Sequence, residues 1–131
     1  MSDKTVLNVL VAEDDPVTAS SITSVLTGLG WKVDFAASGK AALRLHQQHD
    51  YDVVLLDVTL PDMSGVCVYE ALKSVIHRAP PILLLRGNET GEGTIVLNEG
   101  DQLLPDVTDI KDIVARCHAM ATFETALQVS A

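Results

Sequence analysis

The chain has 131 residues, a length that fits one domain with a single core, and its 47% hydrophobic fraction excludes a disordered polymer. The longest apolar runs are strand-sized, which excludes a membrane-spanning helix. A net charge of −9 argues against direct nucleic-acid binding, where clustered Lys and Arg must neutralise phosphates. Met1-Ser2-Asp3-Lys4 lacks the apolar stretch of a signal peptide, so a cytoplasmic protein is expected. The two cysteines agree with that: Cys67 and Cys117 fall on expected helices and read as reduced thiols in or near the core.

Apolar runs alternate with amphipathic stretches throughout, the pattern of βα repeats around a parallel sheet. A first strand is expected from Val6 to Ala12. Asp15 then reads as a helix N-cap with Pro16 at the first helical position. Ile22, Val25, Leu26 and Leu29 recur at helical spacing as one apolar face, and Gly30 ends the helix. Lys32 to Ala36 is a short second strand, Gly39 to His49 a second helix and Val53 to Asp57 a third strand. Val68, Ala71, Leu72 and Val75 mark a third helix, and Pro80-Pro81 leads into a fourth strand, Ile82 to Leu85. A last helix begins near Asp109, with Ile110, Ile113, Val114, Cys117 and Ala121 on one stripe. Between Gly87 and Gly100, Gly91 and Gly93 each weaken a helix by about 1 kcal/mol relative to alanine, so a short or irregular fourth helix is expected there. One domain over residues 1–131 follows, its core about 5–123 and a tail at 124–131.

The acids carry the functional signal. Val53-Val54-Leu55-Leu56 suits a strand buried on both faces, and it delivers Asp57 onto the loop Leu60-Pro61-Asp62-Met63-Ser64-Gly65. Val9-Leu10-Val11-Ala12 likewise ends in Glu13-Asp14-Asp15. In parallel sheets the carboxyl ends of the strands form the ligand-binding edge, so these acids should share one crevice. Gathering carboxylates there is costly, and a divalent cation is the usual remedy.

Val11-Ala12-Glu13-Asp14-Asp15-Pro16, Leu56-Asp57 with Leu60-Pro61 and Gly65, and the closing Gly100-Asp101-Gln102-Leu103-Leu104-Pro105 resemble the receiver domain of two-component response regulators. The likeness spans nearly the whole chain. It implies a flavodoxin-like (βα)5 fold, a doubly wound five-stranded parallel sheet of order 2-1-3-4-5. It implies that Asp57 accepts a phosphoryl group from a histidine kinase or phosphotransfer protein. Glu13, Asp14, Asp57 and the backbone carbonyl of Thr59 would then hold Mg²⁺. Such a protein is a signalling phosphoacceptor, with at most self-catalysed phosphorylation and dephosphorylation. Asp15 is left as a cap.

The sequence departs from the family at the switch. Receivers place Thr or Ser after the fourth strand, where this chain has Arg86. Asp106 stands at the position of the family lysine, and Leu103 at that of the aromatic switch residue. Arg86 is expected to reach Asp57 or Asp106, since guanidinium pairs bidentately with carboxylate.

Other readings fit less well. His46 and His49 stand at i, i+3 without a third ligand and read as surface histidines, as do His77 and His118. No nucleophile elbow supports a hydrolase. A flavin binder would have its phosphate repelled by Glu13-Asp14-Asp15, and an aspartate-nucleophile phosphatase would want its nucleophile on the first strand. Two hypotheses remain: a phosphoryl-accepting receiver, or a phosphorylation-independent pseudo-receiver acting as a protein-interaction module. No fused effector domain is visible, so output to a downstream effector protein is expected through the face of the irregular fourth helix, the fifth strand and the last helix, where Lys111, Asp112, Ala115 and His118 of the last helix should be exposed. Homodimerisation through that face stays open. Ala126, Leu127 and Val129 would extend the helix or pack on a partner.

Overall fold

The computed structural model describes residues 6–74, 79–85, 97–104 and 109–130, the stretch after residue 121 as backbone alone. In chain order the elements are β1 (Asn8–Ala12), α1 (Pro16–Gly28), β2 (Lys32–Ala36), α2 (Gly39–Gln48), β3 (Val53–Asp57), α3 (Gly65–Lys73), β4 (Ile82–Leu85), β5 (Gln102–Leu104) and α4 (Ile110–Ser130). All strand pairs are parallel, in the order β2-β1-β3-β4-β5, the doubly wound sheet expected. The fourth helix expected between β4 and β5 falls largely on residues 86–96, outside the described residues, as do Val75 and His77. The backbone of α4 continues as helix through the stretch read as a tail.

Alternation along the strands divides the apolar core into two layers. Val9, Val11, Val53, Leu55, Leu83 and Leu85 face Ile22 and Leu26 of α1 and Ile113, Cys117 and Met120 of α4. Leu10, Ala12, Val54, Leu56, Ile82 and Leu84 face Ala42 of α2 and Val68, Tyr69 and Leu72 of α3. Burial on both faces is why β1, β3 and β4 read as unbroken aliphatic runs. The edge strands are more open: Phe35 on β2 is 48% exposed and Leu103 on β5 is 38% exposed.

Two helix faces differ from those expected. In α1 only Ala19, Ile22 and Leu26 are buried, while Val25 and Leu29 are exposed. Val25 lies about 60° round the helix from Ile22, off the line that meets the sheet. Leu29 is the C-cap, past the last helical turn, and Gly30 follows with φ +87, the left-handed turn its lack of a side chain allows. In α3 the buried stripe is Gly65, Val68, Tyr69 and Leu72, which turns Cys67 outward to an exposed position rather than into the core. Cys117 is buried as expected, and burial pushes its thiol up to about 12. A thiol titration of the native protein at about pH 8 should therefore count one fast group, Cys67, and a second only in denaturant. Two fast thiols in the folded protein would contradict this packing.

At the amino ends of β4 and β5, one buried carboxylate ties three elements together. Asp101 accepts hydrogen bonds from the Tyr69 hydroxyl at 2.6 Å and the Ile82 N–H at 2.8 Å. Lys73 Nζ lies 3.2 Å from Asp101 Oδ2 and also reaches the Pro80 carbonyl at 3.4 Å. The Asn98 N–H donates to the Tyr69 hydroxyl at 2.7 Å. Burial, then the bond to Asp101, pushes the Tyr69 phenol up to about 12, so it stays a donor. Among the described residues no helix is long and apolar enough to cross a membrane.

Candidate functional site

The site is built where β1 and β3 end side by side. Ala12 pairs with Leu56 across those strands, and Asp57 with Leu85 of β4, so the residues after β1 arrive beside the end of β3. The Glu13 N–H continues the ladder to the Ala36 carbonyl at 3.0 Å, which keeps the Glu13 backbone in strand-like register. Asp15 then caps α1, accepting from the Thr18 N–H at 3.0 Å and the Thr18 hydroxyl at 2.6 Å, with Pro16 opening the helix. Asp15 is thus occupied as a cap, as expected. Its own N–H donates to Glu13 Oε2 at 3.1 Å.

Glu13, Asp14 and Asp57 each offer a carboxylate oxygen within 4.8 Å of the others. They are the one such group of three or more His, Cys, Asp or Glu among the described residues, and His46 and His49 are not part of any. His49 is exposed, whereas His46 is half-buried and its imidazole is held below the ordinary value by burial. Glu13 and Asp57 are fully buried and Asp14 is exposed. Two buried carboxylates about 5 Å apart repel by about 3 kcal/mol at an effective dielectric of about 20. Nothing about core packing calls for that arrangement. Three carboxylates so placed could hold a hard cation, which prefers carboxylate and carbonyl oxygens.

Thr59 sits against Asp57 through groups the sequence did not suggest. Its N–H and its hydroxyl both donate to Asp57 Oδ1, at 2.9 and 2.7 Å. An aspartate readily accepts from the backbone N–H two residues on, closing an Asx turn, and that was the available signal. The loop beyond is clipped to the sheet: the Val58 N–H donates to the Leu85 carbonyl, and the Gly65 N–H to the Val58 carbonyl, both at 3.2 Å. A Cβ on Gly65 would lie 2.4 Å from the Val58 Cα, so only glycine lets α3 begin this close. Asp62 makes a second unforeseen contact. It accepts from the N–H groups of Gly39 at 2.7 Å and Lys40 at 3.0 Å, the first residues of α2. Those bonds, Gly39's foremost, hold its carboxyl below the ordinary value of 3.8. With the folded value depressed, the stability from this contact is complete above the ordinary value and is lost as pH falls through the lower folded one.

Of the switch positions, Leu103 is on β5, in register with Leu84 and partly exposed. Arg86 and Asp106, and any pairing of Arg86 with Asp57 or Asp106, lie outside the described residues. On α4, Lys111, Ala115 and His118 are exposed as expected. Asp112 is half-buried, pairing with Arg116 Nε at 3.1 Å, and Arg116 in turn reaches Gln102 Oε1 at 2.7 Å.

A doubly wound five-stranded parallel sheet with acids converging at its carboxyl edge defines a CheY-like protein, and solved structures of that class superpose well. A receiver domain from Methanospirillum hungatei matches with a TM-score of 0.78 at 20% identity, covering 92% of this chain and 98% of that one. The receiver domain of the sensor histidine kinase PA1611 from Pseudomonas aeruginosa, solved with a magnesium ion coordinated in its active site cleft, matches with a TM-score of 0.77 at 22% identity over 89% of this chain and 98% of that one. In sequence, residues 9–100 match the response regulator receiver domain family, and the chain belongs to that family. It is 34% identical to the probable transcriptional regulatory protein TcrX of Mycobacterium tuberculosis, over 87% of this chain and 49% of that protein. It is 41% identical to the aerobic respiration control sensor protein ArcB of Escherichia coli, over 72% of this chain and 12% of ArcB. The chain therefore spans about half of the one relative and about an eighth of the other. It is a receiver domain of two-component signalling.

Proposed function

We propose that this receiver accepts a phosphoryl group on Asp57 from a histidine kinase or phosphotransfer protein, in the cytoplasm, as one unit over residues 1–131. The observation that carries the reading is the convergence of Glu13, Asp14 and Asp57 within 4.8 Å at the carboxyl edge of the sheet. The donor set fits Mg²⁺: three carboxylates, with the Thr59 carbonyl as the fourth protein ligand. Bound there, Mg²⁺ would offset the charge of the carboxylates and of the incoming phosphoryl oxygens.

The chain's own residues supply position. Asp57 is the nucleophile: a bond forms from its carboxylate oxygen to phosphorus as the donor's N–P bond breaks and the imidazole takes back the electron pair. Transfer of this kind asks the protein mainly for alignment. The Thr59 N–H and hydroxyl provide it by holding Oδ1, which fixes the plane of the carboxylate. Outside this transfer, and the self-catalysed gain or loss of the phosphoryl group, the protein has no enzymatic role in this reading.

The switch is atypical. A phosphoryl group brings nearly two negative charges, and in this chain Asp106 replaces the family lysine, Arg86 the hydroxyl residue and Leu103 the aromatic one. An acceptor without the usual readout suits a relay that hands the group on, or a signal read by an effector protein docking on β5 and α4. Neither route involves direct contact with nucleic acid.

The test is intact mass after incubation with acetyl phosphate, in Mg²⁺ and in chelator. One phosphoryl increment is expected in Mg²⁺, none in chelator, and none in Asp57→Asn. Absence of the increment with both acetyl phosphate and a partner kinase, in folded protein, would favour the pseudo-receiver instead.

A further inference from the structure

The amino end of α2 is capped from two separate places in the chain. Ser38 takes care of its own helix: its hydroxyl accepts from the Ala41 N–H at 3.1 Å and its carbonyl from the Ala42 N–H at 3.0 Å. The N–H groups of Gly39 and Lys40, the first two helical residues, are among those that a helix start leaves open. Both are met by Asp62, one carboxylate oxygen each, from 22 and 23 residues away. A carboxylate over two N–H groups at the positive end of a helix dipole makes a stronger contact than a neutral cap.

The loop that carries Asp62 is the one that carries Thr59. Its ends are fastened at Val58 and Gly65, and Asp62 is a third fixed point between them. Side-chain packing reinforces that point, since a Cβ on Gly39 would fall 2.9 Å from Val68 Cγ2 and 3.0 Å from Met63 Sδ. Helix α2 is thus pressed against the loop as well as bonded to it. Thr59, whose N–H and hydroxyl hold Asp57 Oδ1, lies between the fastenings at Val58 and Asp62.

From this geometry we infer that Asp62 is a positioning residue for the phosphoryl-acceptor loop. Its carboxylate clamps the loop to the start of α2 and so sets Thr59, and the Thr59 carbonyl, against Asp57. The inference rests on reading Asp57 as the acceptor. It makes α2 part of the acceptor machinery, although α2 contributes no side chain to the acid cluster.

The experiment sets Asp62→Ala and Asp62→Asn beside Ser38→Ala, which weakens the same helix end without touching the loop. The primary readout is hydrogen exchange at the Thr59 amide, measured without metal or phosphodonor. Asp62→Ala should speed that exchange on the order of fivefold, because local opening sets the rate. Asp62→Asn, with one acceptor oxygen left, should fall between, and it serves if the alanine variant folds poorly. Ser38→Ala should leave Thr59 unchanged while loosening the amides of α2. Mg²⁺ affinity by calorimetry should drop severalfold in Asp62→Ala and hold in Ser38→Ala at a comparable melting temperature. Faster exchange confined to Gly39 and Lys40, with Thr59 as protected as in the parent, would overturn the inference. A parent protein that takes no phosphoryl group would sink the acceptor reading alone, and the exchange contrast would still decide whether Asp62 holds the loop.

Discussion

Replacing Asp101 with alanine is expected to destabilise the protein by about 4 kcal/mol, the range for breaking a buried ion pair from one side. The Asp101 side chain is fully buried, and Lys73 is only 15% exposed. Removal strands the Lys73 ammonium and leaves the Ile82 N–H and the Tyr69 hydroxyl without the acceptor that each now uses at 2.8 and 2.6 Å. Desolvated donors left unmet are penalised individually, so the losses accumulate. Urea unfolding followed by circular dichroism should show the midpoint falling with little change in slope. Asp101→Asn keeps an acceptor and the packing and should lose roughly half as much, mostly the charge–charge part. The same reasoning predicts that Lys73→Met costs less when combined with Asp101→Asn than in the parent, a coupling of about 1–2 kcal/mol. A loss under about 1 kcal/mol in Asp101→Ala would mean that the cluster is not what anchors β4 and β5.

Gly65→Ala should cost about 3 kcal/mol, at the upper end of what overpacking usually exacts. The new methyl would meet the Val58 Cα at 2.4 Å, and backbone cannot swing aside as a side-chain tip can. The start of α3 must move, or the loop from Val58 must. Either shift disturbs the bond from the Gly65 N–H to the Val58 carbonyl, the far clip of the acceptor loop. This variant should therefore lose phosphoryl uptake as well as stability. Gly28→Ala is the control: a Cβ there meets nothing within 4 Å, and alanine should stabilise the end of α1 by about 0.5 kcal/mol. Equal melting temperatures for the two variants would refute the close approach at Gly65.

What could be read from the sequence follows a physical division. β1, β3 and α1 were legible because their signals are local: unbroken aliphatic runs for strands buried on both faces, and Asp15-Pro16 for a capped helix. The convergence of Glu13, Asp14 and Asp57 was legible because parallel strands present their carboxyl ends on one edge. The order of the strands came from family resemblance, since periodicity carries no information on which strand lies beside which. Val25 was misplaced because spacing names a helix face while the sheet decides how wide a strip it covers, and Cys67 because a thiol on a helix was read as core by residue type, off the stripe Val68, Ala71, Leu72. Asp62 and Asp101 entered the sequence reading only as members of longer motifs, with no role of their own. Their partners lie 22 or more residues away for Asp62, and 19 to 32 residues away for Asp101, so nothing local marks either one.

The central claim is that the carboxylates ending β1 and β3 form one cation-dependent acceptor with Asp57 as its nucleophile. Its most direct test is to treat the protein with acetyl phosphate and Mg²⁺, reduce with borohydride and map the peptides by mass spectrometry. Borohydride converts an aspartyl phosphate to homoserine and leaves free carboxylates alone, so the modified residue records where the phosphoryl group sat. Conversion at Asp57 alone, lost in chelator and strongly reduced in Glu13→Gln, is the predicted result. Conversion at Asp14 or elsewhere, or at Asp57 equally well without Mg²⁺, would contradict the account.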